Sequence, residues 1–251
     1  MSRFKDKTII VTGGSGGIGA AICEKFASEG ANVIICDINP EASKILANKL
    51  HSKGYLASIH TVDISNPDEC STMISEIVAK HGGIDVLCNN AGINRRGNLL
   101  SLTDDDWKAT FSVNLDSMFY LCREVLPHMI NAGGGAIVNT ASQWGLYPAP
   151  NHIAYNVSKA AVASFTQNLA RDYAPKKIRV NAICPGEVRT PMLEANLSRS
   201  GRSIDDLNSL VPFGRIGEPK EIAALVAFLA SDEAPYMCGS VIEITGAQAV
   251  Y

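Results

Sequence analysis

Short apolar, β-branched runs alternate with longer segments of helical periodicity along nearly the whole chain. The first run, Thr8–Thr12, is followed by a helical segment over residues 18–30. The same pattern predicts strands at 32–37, 57–61, 86–89, 136–140, 179–183 and 240–245, and helices at 40–53, 67–81, 104–130, 154–173 and 219–231. Strands and helices therefore take turns from one end of the chain to the other.

The predicted strands are apolar on both faces, and a helix joins each to the next. This arrangement predicts an α/β fold, a doubly wound parallel sheet of seven strands with right-handed crossovers and helices on both faces. No internal repeat, low-complexity tract or Pro/Ser-rich linker marks a boundary, so residues 1–251 are expected to form one domain. The Pro- and Gly-rich stretch 185–217 is predicted to be a substrate loop; plain disorder is the alternative.

Composition narrows the function classes. The 251 residues hold 22 Lys+Arg and 25 Asp+Glu, a net charge of −3, and the cations are scattered, so a nucleic-acid partner is not expected. No apolar run approaches the roughly 20 residues that span a bilayer, and residues 1–7 lack a signal-like apolar region, so a cytoplasmic protein without membrane attachment is expected. Seven isolated cysteines and five histidines without ligand spacing predict reduced thiols and no metal site.

The turn after the first strand carries glycines at positions 13, 17 and 19. It lies between a strand and a helix, where backbone N–H groups and the helix dipole receive a pyrophosphate. Asp37 ends the second strand, where a carboxylate accepts hydrogen bonds from both ribose hydroxyls and repels a 2′-phosphate. No Lys or Arg lies in the turn or directly after Asp37, so NAD is predicted over NADP. Taken singly, these features also fit a flexible connection and a solvated carboxylate.

Polar residues also follow the third and fourth predicted strands, at Asp63 and at residues 89–92. The carboxyl ends of parallel strands share one edge, which is where open α/β sheets bind ligands. Each position alone is equally typical of a helix cap or an Asx-turn. The candidate cofactor residues are Gly13, Ser15, Gly16, Gly17, Ile18, Gly19, Asp37, Asp63, Ile64, Asn90, Ala91 and Gly92.

Tyr155 and Lys159 are spaced i, i+4 and share one helix face. A neighbouring ammonium favours the phenolate, so Tyr155 is a candidate acid/base; a solvated helix face is the alternative. Ser142 ends the fifth strand, where its hydroxyl can hold a substrate oxygen during hydride transfer. Asn114 has low helix propensity inside a long helix, which suggests a role such as a water-mediated link to Lys159.

Several motifs in order carry a family resemblance. Residues 12–19 read T-G-x-x-x-G-x-G, residues 89–92 read N-N-A-G, and Pro185 and Gly186 form a P-G turn after the four candidate catalytic residues. Over about residues 4 to 246 the chain resembles the short-chain dehydrogenase/reductase family. Many relatives read D-G-G after the last strand, whereas this chain reads T-G-A-Q from Thr245, so the resemblance does not extend to the packing of the tail.

The resemblance implies a single-domain Rossmann-type oxidoreductase, commonly a homotetramer, that moves a hydride between an alcohol carbon and nicotinamide. It implies that Tyr155 exchanges the hydroxyl proton and that Lys159 binds the nicotinamide ribose and lowers the Tyr155 pKa. Ser142 would orient the substrate oxygen and Asn114 would complete a proton relay through water. The residues that the resemblance adds to the cofactor set are Tyr155, Lys159, Pro185, Gly186, Val188 and Thr190.

Substrate choice is assigned to positions outside these motifs. Arg95 and Arg96 follow the fourth strand, as in relatives that oxidise sugar acids, and with Arg189 they are candidate clamps for a carboxylate or sulfonate. The alternative is that these arginines are solvated or bridge subunits. The other candidate substrate residues are Gln143, Trp144, Tyr147, His152 and Glu187; a His152 satisfied by backbone is equally consistent with the sequence.

The function expected from the sequence is an NAD-dependent dehydrogenase of a small-molecule secondary alcohol, a polyol or an anionic polyol such as a sugar acid or hydroxy-sulfonate. One alternative is a 3-oxoacyl-carrier-protein reductase using NADPH, which shares these motifs but is disfavoured by Asp37. The other is a non-catalytic cofactor-sensing scaffold, which is disfavoured because all four candidate catalytic residues are present.

Overall fold

The computed structural model describes residues 2–191, 193, 194, 197, 201 and 203–248. Within them, strands pair in parallel in the order β3-β2-β1-β4-β5-β6-β7. These strands are β1 (Thr8–Thr12), β2 (Asn32–Asp37), β3 (Ala57–Thr61), β4 (Val86–Asn89), β5 (Gly135–Thr140), β6 (Ile178–Pro185) and β7 (Val241–Ile244). The chain reverses its winding direction between β1 and β4, which is the switch point where doubly wound sheets bind ligands.

The connecting helices confirm the predicted alternation. They are α1 (Gly17–Ser28), α2 (Pro40–Ser52), α3 (Pro67–His81), α4 (Asp104–Phe111), α5 (Ser117–Asn131), α6 (Gln143–Leu146), α7 (Ile153–Tyr173), α8 (Ile204–Asn208) and α9 (Pro219–Ala230). The helix predicted over 104–130 is interrupted by a π-helical turn, Ser112–Asp116, and a 3-10 turn, Ala174–Lys176, follows α7. Helices α6 and α8 were not predicted, and α8 lies within the expected loop 185–217.

Successive strand residues pack on opposite layers of helices. In β1, Ile9 and Val11 lie in a core with Phe26 of α1 and Val226 of α9, whereas Ile10 lies in a second core. That second core includes residues of α3 and α5. Burial on both faces explains why the strands are continuous apolar runs, since each fully buried aliphatic side chain contributes about 1.5–3 kcal/mol.

The apolar character of the chain goes into these two layers. Six of the seven cysteines are buried and unpaired, and the seventh, Cys238, is half-buried. Among the described residues, no helix combines the length and the apolar character needed to cross a membrane.

A close crossing of α6 over α7 positions the end of β5. Ser142 caps α6, and its Oγ accepts a hydrogen bond from the Trp144 N–H at 3.2 Å. At Gly145, an added Cβ would lie 2.6 Å from the backbone carbon of Lys159 and 2.8 Å from the nitrogen of Ala160. Only glycine permits this approach, so Gly145 brings Ser142 against the first turns of α7.

The Gly145→Ala variant is expected to lose about 1–3 kcal/mol of unfolding free energy, because the new methyl group would push α6 away from α7. Urea unfolding measures the loss. Gly83→Ala is the matched control: a Cβ there has open space, so its stability should stay within about 0.5 kcal/mol of the parent. Equal stability of the two variants would contradict the crossing argument.

Candidate active site

The four predicted catalytic residues converge at the carboxyl edge of the sheet. Ser142 follows β5, Tyr155 and Lys159 lie one turn apart on α7, and Asn114 lies in the π-helical turn. Ser142 is close enough to Tyr155 for its hydroxyl to act on the pKa of the phenol, in the lowering direction. The Nζ of Lys159 lies 5.8 Å from the Tyr155 ring centroid, and a Cβ built on Gly92 would lie 3.3 Å from both that Nζ and the Oδ1 of Asn114. The structure therefore brings all four into one site.

Lys159 is a buried cation. Its side chain is 2% exposed, and its Nζ donates to the carbonyl oxygen of Thr140 at 2.7 Å. Among the described residues, no carboxylate lies within ion-pair distance of this ammonium. Burial therefore lowers the pKa of Lys159 from 10.5 to about 8, since desolvation penalises the charged form.

Burial dominates the environment of Tyr155. Burial raises its pKa above the ordinary value of 10.0, the hydrogen bond with Ser142 acts in the lowering direction, and the negative charge of Glu187 raises it further. The ammonium of Lys159 donates to Thr140, and the expectation that it lowers the Tyr155 pKa stays a prediction. In this arrangement Tyr155 therefore holds its proton at neutral pH.

The side chain of Asn114 fastens the segment after β4 to α7. Its Oδ1 accepts from the Ile93 N–H at 2.8 Å, and its Nδ2 donates to the Ile93 carbonyl and to the Ser158 Oγ, both at 3.0 Å. Both amide hydrogens are thus in use. The expected water-mediated link to Lys159 stays a prediction.

The glycine turn is enclosed by two other predicted cofactor residues. Gly13 has φ +60°, and a Cβ there would lie 2.9 Å from the Cα of Ala91. On the other side, a Cβ at Gly17 would lie 2.7 Å from the Cγ2 of Thr190. The Asn90 side-chain amide donates hydrogen bonds to the carbonyls of Thr12 and Gly13 at 3.1 and 3.4 Å, and these bonds fix the backbone conformation of the turn. The glycines of this turn carry no side chain, so its backbone N–H groups are open to the close approach of a pyrophosphate at the start of α1.

Asp37 lies beside this cradle. Its two carboxylate oxygens accept from the backbone N–H groups of Ser15 and Asn39, each at 3.0 Å. A carboxylate has about four acceptor positions, so both oxygens keep capacity for a ribose hydroxyl. The donor and acceptor set of this edge therefore fits a nicotinamide adenine dinucleotide.

The remaining cofactor candidates line the same edge. The Oδ1 of Asp63 accepts hydrogen bonds from the backbone N–H and the hydroxyl of Ser65 at 3.0 and 2.7 Å. Asp63 therefore forms an Asx-turn, which was one of the two interpretations of its position. The N–H of Gly186 donates to Ile244 at 3.0 Å, and Val188 pairs with Gly217. The other positions are Gly16 and Ile18 at the start of α1, Gly19 in its first turn, Ile64 after β3, and Pro185 at the end of β6.

The predicted anion clamps face carboxylates. Arg95 lies 3.8 Å from Asp106, and Arg189 lies 2.8 Å from Glu194, with all four side chains well exposed. Arg96 is exposed, and its charge acts on His152. The structure thus supplies ion-pair partners for two of the three candidate arginines.

The other substrate candidates divide into two groups. The Trp144 ring lies 4.6 Å from the His152 ring and 6.0 Å from the Tyr155 ring, so these three form one wall of the site. Tyr147 instead directs its hydroxyl to Glu243, at 3.3 Å. The negative charge of Glu187 raises the pKa of Tyr155.

One site residue had no signal in the sequence. Gln248, from the tail after β7, accepts a hydrogen bond at its Oε1 from the Nε2 of Gln143 at 3.0 Å. The two residues are separated by more than a hundred positions, so neither periodicity nor a local motif connects them.

Comparison with known proteins decides the family. The family model described as enoyl-(acyl carrier protein) reductase matches residues 13–246. The chain belongs to the short-chain dehydrogenase/reductase family. It is 38% identical over 244 residues to the 3-oxoacyl-[acyl-carrier-protein] reductase FabG of Thermotoga maritima, covering 97% of this chain and 98% of that protein.

Solved structures of short-chain dehydrogenases/reductases share the whole architecture. Levodione reductase superposes with a TM-score of 0.93 at 32% identity, covering 98% of each chain. NAD+-bound xylitol dehydrogenase superposes with a TM-score of 0.92 at 31% identity, covering 98% of this chain and 100% of that one. The protein is therefore an oxidoreductase with the Rossmann-type fold of this family.

An apolar groove lies next to the reaction site of this short-chain dehydrogenase/reductase but is distinct from it. The groove, of about 360 Å³, is lined by residues that include Leu99, Trp144, Pro148 and Val157. None of the four catalytic candidates lines it, so the groove is not where the chemistry takes place.

The burial of Lys159 predicts a pH-dependent stability. Its pKa is about 8 in the folded protein and near 10.5 when exposed, so the unfolded chain binds more protons between these values and the Lys159 contribution to stability rises with pH there. Relative to Lys159→Met, the parent should gain up to about 3 kcal/mol of unfolding free energy between pH 7 and pH 10.5.

Urea unfolding without cofactor at several pH values measures this difference. Lys220→Met, at an exposed position in the first turn of α9, is the matched control and should leave the pH dependence unchanged. A parent-to-variant difference that stays constant with pH would show that Lys159 is not desolvated as described.

Proposed function

We propose that this protein is an NAD-dependent dehydrogenase that oxidises a secondary alcohol of a small polyol. The observation that carries the proposal is the buried ammonium of Lys159, 5.8 Å from the Tyr155 ring centroid, with Ser142 at the end of the adjoining strand. These residues and the glycine turn with Asp37 share the carboxyl edge of one sheet, which supports a proton-transfer group beside a bound nicotinamide.

The chain's own residues supply binding and proton transfer. The glycine turn would hold the pyrophosphate, Asp37 the adenine ribose, and Lys159 the nicotinamide ribose. When bound, the nicotinamide accepts the hydride and its positive charge favours the Tyr155 phenolate. Ser142 holds the substrate oxygen, and Tyr155 takes the alcohol proton during oxidation or returns it during reduction.

The raised pKa of Tyr155 sets the direction of the pH dependence. Burial keeps the phenol protonated at neutral pH, so the proton needed for ketone reduction is already in place. Oxidation needs the phenolate and should accelerate as the pH rises.

The cofactor proposal rests on Asp37. Its oxygens retain acceptor capacity for two ribose hydroxyls, whereas a 2′-phosphate offers only acceptors and a negative charge. NAD+-bound xylitol dehydrogenase, with a TM-score of 0.92, supports both NAD and a polyol. A homotetrameric, cytoplasmic enzyme of one domain with a substrate loop at 185–217 belongs to the same proposal.

A second candidate function is 3-oxoacyl-carrier-protein reduction with NADPH. The observation that favours it is the 38% identity to the Thermotoga maritima reductase over nearly the full length of both chains. The two functions require the same Tyr155 chemistry and differ in cofactor and substrate, so one set of rate measurements separates them.

Initial rates test the two functions directly. We expect NADH formation from NAD with a polyol at mildly alkaline pH, and little reduction of an acetoacetyl thioester by NADPH. Tyr155→Phe should lose at least about 100-fold in kcat while its Kd for NADH stays within about twofold, because the variant keeps the ring and loses only the proton-transfer group. Efficient NADPH-dependent thioester reduction by the parent would establish the second function instead.

The role of Asp37 predicts a change in cofactor selectivity. Asp37→Ser should reduce the NAD-over-NADP ratio of kcat/KM by about 10- to 100-fold, because charge-assisted hydrogen bonds and the repulsion of a phosphate are lost together. Asp105→Asn, on the exposed first turn of α4, is the control and should leave the ratio unchanged. An unchanged ratio in Asp37→Ser would refute the ribose-binding role.

A further inference from the structure

Two buried acceptor atoms without a partner belong to neighbours of the candidate catalytic residues: Gln143 follows Ser142 in the chain, and the His152 ring packs on Trp144, which also contacts Tyr155. They are the Oε1 of Gln143 and the Nε2 of His152, two of the six buried side-chain polar atoms without a hydrogen bond among the described residues. Gln143 is 2% exposed and His152 is 9% exposed. Each atom carries a desolvation cost that a hydrogen-bond donor from a ligand would remove.

The hydrogen bond to Pro150 fixes the tautomer of His152. Its Nδ1 lies 2.7 Å from the Pro150 carbonyl, which can only accept, so the proton is on Nδ1. Burial lowers the pKa of His152, and the charge of Arg96 lowers it further, so the ring is neutral near pH 7. The Nε2 therefore presents a lone pair, on a ring that packs 4.6 Å from the Trp144 ring, which in turn lies 6.0 Å from the Tyr155 ring.

The tail of the chain fixes the orientation of the Gln143 amide. The backbone N–H of Glu187 faces the Oε1 of Gln248 at 3.5 Å, and this donor requires an oxygen at that position. Gln143 therefore contributes its Nε2 to the same oxygen, at 3.0 Å, and its own Oε1 is the atom without a partner. A Cβ built on Gly186 would lie 3.2 Å from this Oε1, which places it over the turn after β6.

The charges near the site also bear on the class of substrate that it binds. Glu187 lies close enough to raise the pKa of Tyr155, so negative charge is already present beside the reacting group. Two of the candidate clamps, Arg95 and Arg189, have carboxylates as neighbours. The wall therefore offers two acceptors and the negative charge of Glu187, with the positive charge of Arg96 on the side of His152. Acceptors pair with the hydroxyls of a neutral polyol and not with the oxygens of a carboxylate.

We propose that Gln143 and His152 each accept a hydrogen bond from a substrate hydroxyl, with Gln248 as the positioning residue that orients Gln143. This inference rests on the proposed function and narrows its substrate class to a neutral polyol and the corresponding hydroxyketone. An acyl thioester has only acceptors around its ketone and would leave both atoms unpaired. Sites built to bind a hydroxyl reject analogues that lack it more strongly than apolar pockets reject an added group.

Four compounds separate the substrate classes. Three have five carbons, namely xylitol, the monohydroxyl analogue 2-pentanol and the sugar acid xylonate, and the fourth is an acetoacetyl thioester. The parent should favour xylitol over 2-pentanol by at least tenfold in kcat/KM. His152→Phe and Gln143→Met should each lower kcat/KM for xylitol about tenfold or more and leave that for 2-pentanol within about twofold. A purely structural defect would reduce both substrates alike.

The role of Gln248 is tested with two substitutions of similar size. Gln248→Met removes the acceptor for Gln143 and should raise the KM for xylitol several-fold with kcat unchanged, whereas Gln248→Glu keeps an Oε1 and should restore the parent KM. Calorimetry on Tyr155→Phe with NAD bound gives the xylitol Kd without turnover. In that background Gln248→Met should weaken binding by the same factor.

The outcomes distinguish this inference from the proposed function. NAD-linked oxidation of 2-pentanol as efficient as that of xylitol, a preference for xylonate, or variants that affect both alcohols equally would each overturn the hydroxyl-binding wall and leave the dehydrogenase in place. Failure to oxidise any alcohol with NAD, together with NADPH-dependent thioester reduction, would overturn the proposed function itself.

Discussion

The buried ammonium of Lys159 is the constraint on which the active site depends. A cation that is 2% exposed and has one carbonyl acceptor, on Thr140, costs stability, as its lowered pKa shows. The surrounding packing offsets that cost: α6 crosses α7 at Gly145, and Asn114 holds Ser158. Because the ammonium must reach the end of β5, α7 is fixed against the sheet edge. Tyr155, one turn earlier on α7, is then held beside Ser142.

The alternation of strands and helices could be predicted because each strand is buried on both faces, so its sequence is apolar throughout. Two elements could not be predicted, for different physical reasons. Helix α6 has four residues, too few for a helical period, and is initiated by the Ser142 cap. The π-helical turn around Asn114 accompanies contacts to Ile93 and Ser158 that come from distant parts of the chain. The one local indication of this turn in the sequence was the low helix propensity of Asn114.

The features of the site divide in the same way, into those that a local motif predicts and those that depend on contacts between distant parts of the chain. The glycine turn, Asp37, Ser142, Tyr155 and Lys159 could be located because each follows a strand or lies at a fixed spacing on one helix. The Tyr155 pKa could not, since its direction depends on burial and on Glu187 rather than on the i, i+4 spacing to Lys159. The ion pairs of Arg95 and Arg189 and the contact between Gln143 and Gln248 likewise join residues that the sequence leaves unconnected.

The residues that define membership of the family are therefore different from those that we propose for substrate choice. The motifs that define the family lie in the glycine turn, at residues 89–92 and at the four candidate catalytic positions. In the proposed function, a hydride and a proton are exchanged there with any secondary alcohol or ketone that fits. Gln143, His152 and Gln248 stand outside those motifs, and in our proposal they bind the rest of the substrate. An unpaired buried acceptor costs about 1–3 kcal/mol, so two of them would favour polyols over acyl thioesters by a factor of roughly 30 or more without any change in the candidate catalytic residues.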